Sequence, residues 1–293
     1  ITQDFDMSQA LNIEAPASYR GQAVLVSLLG RANYTFKDRY IFTASFRRDG
    51  SSRFAPGNKF ANFASGAVAW TLSEEEFIKN LNIFSNLKLR LSYGQTGNNR
   101  VGDFDYMAKL ITSDDVYKYP WNGTFTPGFH IANKANSQLK WETTEQIDFG
   151  LDLGFFDGRI NVTADYYIKT TKDLLLQADV PGSSGFSSAT LNVGKLENKG
   201  FELTLETINL KNKKFSWTSN FNIAFNSNKI TALTEGKGEI TSYISWDNKY
   251  KTMPAYVSRI GESAGKMYGF IYEGTYKESD FDITTDGNGK KVY

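Results

Sequence analysis

From Ile147 to Lys169 the chain reads IDFGLDLGFFDGRINVTADYYIK. Apolar side chains take every second position, the chain crosses Asp157-Gly158, and the alternation resumes. A period of two puts successive side chains on opposite faces of a β-strand. Asp-Gly between two such runs signals a tight type I′ hairpin. Closing that turn between Phe156 and Arg159 opposes Phe155/Ile160, Leu153/Val162, Leu151/Ala164, Phe149/Tyr166 and Ile147/Ile168 on one face. The other face then pairs Gly154/Asn161, Asp152/Thr163, Gly150/Asp165, Asp148/Tyr167 and Gln146/Lys169. A slip of one residue would mix the faces, so turn and pattern specify the same register. The pattern leaves open which face meets water.

The same signal recurs along the 293 residues and predicts eight strands, at about 22–36, 39–48, 60–71, 86–95, 142–155, 159–170, 200–210 and 215–226. Strands of soluble domains average about 5 to 6 residues, whereas a tilted membrane-crossing strand needs about 9 to 11. The connections alternate in length. KDR joins the first two strands, Asp157-Gly158 the fifth and sixth, and KNKK the seventh and eighth. LSEEEFIKNLNIFS joins the third and fourth and predicts one short helix, with Ser73 as its cap and Glu76 three residues on. The segments 49–59, 96–141, 171–199 and 227–293 are longer and predict loops. Short turns gathered at one end of a strand array and long loops at the other describe an outer-membrane barrel.

Composition narrows the alternatives. Lys plus Arg is 33 against 32 Asp plus Glu, so no bulk positive charge points to a nucleic acid partner. Cysteine is absent, which excludes disulfides, thiolate metal sites and cysteine nucleophiles. No run approaches the roughly 18 apolar residues of a membrane helix. Aromatics crowd the short-turn end: Tyr34, Phe36, Tyr40, Phe42, Phe155, Phe156, Phe215 and Trp217. Such crowding matches an interfacial girdle. The polar face recurs as Lys88, Arg90 and Ser92, as Glu202, Thr204 and Glu206, and as Ser216, Thr218, Asn220 and Asn222. A soluble β-sandwich would bury the apolar face and wet the polar one. Strand length, aromatic placement and the repeated polar face favour a transmembrane antiparallel barrel over that sandwich.

Long ordered motifs carry a family resemblance. GRANYTFKDRYIFTASFRRDGSSRFAPGNKFANFASGAVAWTLSEEEF (30–77), LKLRLSYGQTGNN (87–99), LKWETTEQIDFGLDLGFFDGRINVTADYYIKTTKDLLL (139–176) and LNVGKLENKGFELTLE (191–206) resemble the SusC/RagA family of TonB-dependent outer-membrane transporters of Bacteroidota. The resemblance implies a 22-stranded barrel with an N-terminal plug, a SusD-like surface lipoprotein as partner, and import of glycans or peptides energised through the TonB complex. It implies no cofactor and an outer-membrane, multi-pass location in a Gram-negative bacterium. Neither a TonB box nor a plug is recognisable in these residues. The whole chain, 1–293, is therefore expected to be an internal part of the barrel domain, about eight strands with long extracellular loops. Eight strands closing as a small barrel of their own is the lesser alternative. A passive porin, or a soluble carbohydrate-binding module, are the lesser functional ones.

No residue pattern points to catalysis. His130 is the single histidine and stands in TPGFHIAN without a nucleophile motif beside it. Asp148/Asp152 and Glu202/Glu206 pair carboxylates on the polar face, but Lys88, Arg90 and Lys169 balance them there. The DITTDGNG stretch (282–289) fits the first positions of a calcium loop and places Tyr293 where the closing Glu belongs. For substrate contact the expectation rests on loop aromatics, chiefly Trp121, Trp246, Tyr119 and Tyr243, since such rings stack on sugars and anchor peptides.

Overall fold

The computed structural model describes residues 21–112, 118–233, 237–244, 253–277, 280, 284–285, 287 and 291–292. Eight long strands make one antiparallel sheet: β1 (Leu25–Phe36), β2 (Tyr40–Ser51), β3 (Phe60–Thr71), β4 (Phe84–Asn98), β5 (Glu142–Phe155), β6 (Ile160–Lys172), β7 (Lys195–Lys211) and β8 (Ser216–Ala232). Neighbours in sequence are neighbours in space, from β1 through β8. β1 and β8 are the two edges and no ladder joins them, so the eight strands form an open wall and not a small closed barrel.

The β5–β6 hairpin has the register expected of it, with Phe155 opposite Ile160 and Gln146 opposite Lys169. Its turn carries Phe156 at φ 54°, with the central pair Asp157 at φ 55° and Gly158 at φ 79°, and Phe156 O accepts from Arg159 N at 3.2 Å. Two successive left-handed residues are what a type I′ turn requires. The KDR turn takes the same form without a glycine: Lys37 and Asp38 lie at φ 53° and 52°, and Phe36 O accepts from Arg39 N at 3.1 Å. At KNKK the Asn212 side-chain oxygen accepts from the backbone N–H groups of Lys214 and Phe215, at 2.9 and 2.8 Å.

Several strands run further than the apolar alternation predicts, mainly at the long-loop end. β4 continues to Asn98, β7 starts at Lys195 and β8 ends at Ala232. The added residues include Glu197, Asn198, Lys199, Ser227 and Asn228, whose polar side chains give no alternation to read. The backbone ladder nevertheless continues, because each peptide group still has an antiparallel neighbour to pair with. The expected irregular segments also hold short strands. Leu110–Thr112 pairs with Phe129–Ile131, Lys118–Trp121 with Thr124–Pro127, and Leu175–Asp179 with Ser188–Asn192. Glu239–Tyr243, Pro254–Arg259 and Lys266–Met267 form a three-stranded sheet.

The two faces separate cleanly. One row, set by the register, crosses all eight strands as Tyr34, Phe42, Val68, Leu91, Phe149, Tyr166, Phe201 and Phe225. Every member is apolar or aromatic, and every one is 40–61% exposed. The row one residue further along points to the opposite face and reads Asn33, Thr43, Ala67, Ser92, Asp148, Tyr167, Gly200 and Asn226. A sandwich would bury the first row; among the described residues no second layer covers it.

The β3–β4 connection departs from the expected capped helix. Leu72–Glu74 forms a 3-10 turn, and α1 (Glu76–Lys79) follows with Glu75 as its N-cap and no side-chain cap bond from Ser73. The carboxylate of Glu75 is engaged elsewhere. It accepts from Arg39 Nη1 at 2.9 Å, Tyr40 OH at 2.8 Å and Trp70 Nε1 at 3.0 Å, and its side chain is 13% exposed. Tyr40 stacks on Trp70 and on Phe36, which stacks on Tyr34, so the aromatic crowding at this end is a contiguous strip.

Those partners hold the Glu75 carboxyl below its ordinary value of 4.5, first through the Trp70 hydrogen bond, then that of Tyr40, with Arg39 adding to them. A depressed folded-state pKa contributes stability above the unfolded value and loses it as pH falls through the folded one. The emission attributable to Trp70, taken as the difference from Trp70→Phe, is therefore expected to change with pH in a step whose midpoint lies below 4.5. Glu75→Gln is expected to abolish that step; a step centred above 4.5 would contradict the arrangement.

A candidate site formed by the polar wall and the long loops

Arg90 ties three strands of the polar face together. Arg90 on β4 donates from Nε and Nη2 to both carboxylate oxygens of Asp152 on β5, each at 2.9 Å, and from Nη2 to Asp165 on β6 at 2.8 Å. A planar guanidinium suits this fork geometry, which a lysine ammonium cannot reproduce. Gly150 on β5 stands in register between Arg90 and Asp165, and a side chain there would collide with the guanidinium. The sequence expectation named Lys88, Arg90 and Lys169 as the balancing charges; among these, Arg90 makes the cross-strand bridges to Asp152 and Asp165. Two carboxylates tied to one guanidinium are not poised as a general acid and base. Further along the wall Tyr167 OH donates to Asn226 Oδ1 at 2.6 Å, across Gly200. Asn220 donates to Glu206 at 3.1 Å. Among the described residues no group of three or more His, Asp or Glu is placed to hold a metal ion. Asp282 and Asp286 of the calcium-like stretch, and Tyr293, lie outside the described residues.

At the long-loop end the chain builds a core of its own. Phe54, Phe63, Val101, Leu139 and Trp141 are buried together, with Ala61, Tyr106 and Leu175 against them. The β3–β4 ladder stops at Ser65 and Gly94, and Phe63 lies just beyond that end. Its ring occupies the space above Gly97, where any side chain would strike it. Trp141 packs on Phe54 and Phe63 at ring separations of 5.4 and 5.8 Å and donates from Nε1 to Lys59 O at 3.0 Å. Polar ties join successive loops: Arg53 to Asp103 at 2.8 Å, Asn136 to Thr190 O at 3.0 Å, and a reciprocal pair between Lys140 and Asn192 at 2.8 Å. Three of the long connections are thus one packed unit.

The aromatics singled out from sequence fall on separate parts of the loops. Tyr119 and Trp121 occupy the strand Lys118–Trp121, Trp121 being 68% exposed. Tyr243 ends the strand Glu239–Tyr243 and is exposed. Trp246 lies outside the described residues. His130 sits on the short strand Phe129–Ile131.

A wall apolar on one side and polar on the other, with tight turns at one end and packed loops at the other, can be compared with known proteins. The profile described as "TonB dependent receptor-like, beta-barrel" matches residues 3–289. The chain belongs to that family. TonB-dependent receptor P3 of Formosa agariphila is 39% identical over 266 residues, covering 91% of this chain and 26% of the relative. TonB-dependent receptor SusC of Bacteroides thetaiotaomicron is 36% identical over 284 residues, covering 93% of this chain and 28% of SusC. The RagAB peptide importer in its open-open state superposes with a TM-score of 0.74 at 28% identity, over 92% of this chain and 28% of that one. The SusC/RagA resemblance read from the motifs agrees with these relatives. The chain spans about a quarter of the length of each.

In this TonB-dependent receptor β-barrel sequence the loop core escaped the period-two reading. Its signal was Phe54 alone in a Gly/Ser/Pro-rich stretch, and Leu139 with Trp141 just ahead of β5. Such isolated apolar residues carry no periodicity. Phe63→Ala is expected to cost about 3 kcal/mol or more, the usual loss for a buried phenylalanine. Gly97→Val should destabilise through collision with Phe63. Denaturant unfolding in detergent measures both. Protease cutting within 99–141 should rise in parallel, and unchanged midpoints would show that the cluster does not hold the loops.

Proposed function

We propose that this chain is part of the barrel of a TonB-dependent importer in the outer membrane of a Gram-negative bacterium, crossing the bilayer through each of its eight long strands. The observation that carries this reading is the exposed apolar row from Tyr34 to Phe225, paired with polar rows on the other face. Apolar surface of that extent, which no described residue of the chain covers, fits a lipid neighbour. Residues 1–293 then read as one stretch of barrel domain, with strands within about 22–226 and extracellular loops at about 49–59, 96–141, 171–199 and 227–293.

The polar wall lines the passage and carries charges of both signs, Lys88, Arg90 and Lys169 among Asp148, Asp152, Asp165, Glu202 and Glu206, with neutral hydrogen-bonding groups between them. This suits glycans or peptides. A SusD-like surface lipoprotein delivers them and the TonB complex supplies the energy, in line with the relatives named SusC and RagAB. The chain performs no chemistry on its cargo.

In the full-length protein, Trp121→Ala and Trp246→Ala are each expected to weaken binding of oligosaccharide or peptide by about tenfold, a typical loss for an aromatic anchor. The folded yield in the membrane should not change. Unchanged affinity in either variant would remove that residue from the site. Heat-modifiable gel mobility and partition into micelles check the barrel reading, and monodispersity in plain buffer would overturn it.

A further inference from the structure

The connection between β3 and β4 carries three large apolar side chains that no part of the wall covers. Phe77 is 60% exposed, Leu81 52% and Ile83 55%. β3 and β4 stand inside the sheet, flanked by β2 and β5, so this exposure does not arise from an open sheet edge. Phe77 lies in the single turn α1, and Leu81 follows two residues past its end, where Leu81 N–H donates to Ile78 O at 3.0 Å. The turn is also held to a particular face. Glu75 is bonded to Tyr40 and Trp70, and these two share the face of the exposed apolar row, since Tyr40 opposes Trp70 just as Phe42 opposes Val68 two residues along. The connection is therefore tethered to the rim of the apolar face and not to the polar wall.

We propose that this connection is a membrane-interface anchor, with Phe77, Leu81 and Ile83 seated among the phospholipids of the leaflet at the short-turn end. The proposal rests on the membrane reading above and extends its apolar band past the last strand pair into the turn. Continuity argues for lipid as the occupant, because the aromatic strip from Tyr34 through Phe36 and Tyr40 to Trp70 runs up to Glu75. The flanking charges fit as well. Lys79 pairs with Glu74 at 2.7 Å in the exposed part of the turn, and the Lys37 ammonium lies over the Phe36 ring at 5.3 Å, so basic groups stand at this rim, where anionic headgroups would meet them. Glu75 has a structural part in this: it satisfies the indole N–H and the phenol of the strip and orients the turn toward the bilayer.

Depth-dependent quenching in the full-length protein tests this. The present chain has no cysteine, so Phe77→Cys, Leu91→Cys and Asn212→Cys each give one labelling site within it. Each is labelled with an environment-sensitive fluorophore and reconstituted into phosphatidylethanolamine/phosphatidylglycerol vesicles holding lipids brominated at shallow or deep positions. Position 91, in the apolar row, should be quenched by the deep lipids. Position 77 should be quenched by the shallow lipids about threefold more than position 212 at the KNKK turn, as an interfacial residue should be. If 91 is quenched and 77 behaves like 212, or if 77 is shielded from both lipid and aqueous quencher, the anchor is refuted while the membrane reading stands. If 91 is not quenched, the membrane reading itself fails. Leu81→Cys repeats the measurement should Phe77→Cys not fold.

Discussion

The rest of the structure depends on an antiparallel register carried through all eight strands, whose shifts at Phe84/Asn86, Lys195/Leu196 and Ile208/Leu210 lie near strand ends. Each ladder fixes which residue of one strand meets which residue of the next, and a strand's faces alternate strictly. Once the registers from β1 to β8 are joined, Tyr34 and Phe225 stand on one row although 191 positions separate them (225 minus 34), and Asn33 and Asn226 stand on the adjoining one. A single slipped pair would send apolar residues into the polar wall for every strand beyond it. The tight turns at 36–39 and 156–159 and the asparagine-braced turn at 212–215 hold that register locally.

The two ends of the sheet are finished differently, for different physical reasons. At the short-turn end aromatic rings are gathered on the apolar face, and one carboxylate, Glu75, accepts from the polar tips of Tyr40 and Trp70. At the other end the strands outrun the apolar band and their side chains become polar, and the β3–β4 ladder gives out at Ser65 and Gly94. There the loops bring in a small core around Phe54 and Leu139, which are fully buried. Between the ends, glycine placement decides what crosses the wall: Gly150 admits the Arg90 guanidinium, and Gly200 the Tyr167 ring.

Much of this was legible in the sequence. The eight strands, the hairpin register, the open question of the two faces and the family followed from period-two alternation, turn chemistry and long motifs. Strand ends were less legible. The extensions in β4, β7 and β8 are made by backbone pairing among polar residues, which leaves no hydrophobic trace. The expected Ser73 cap failed because the acidic run Glu74-Glu75-Glu76 had a competing use: Glu75 is drawn to Arg39, Tyr40 and Trp70, residues that only the hairpins bring within reach. The candidate substrate aromatics were chosen for residue type, and Tyr119, Trp121 and Tyr243 indeed stand exposed, on two different small sheets.

By itself the sequence determined that this chain makes long amphipathic antiparallel strands with tight turns at one end, because alternation and left-handed turn residues act over a few positions and need no distant partner. Tertiary structure alone decided that one arginine would clasp two aspartates from two other strands, that Phe54, Phe63, Leu139 and Trp141 would share one core, and that a glutamate would bind the rim aromatics. Each of these joins residues far apart in the chain. Such a contact exists only after the ladders between them have formed, so no local pattern announces it.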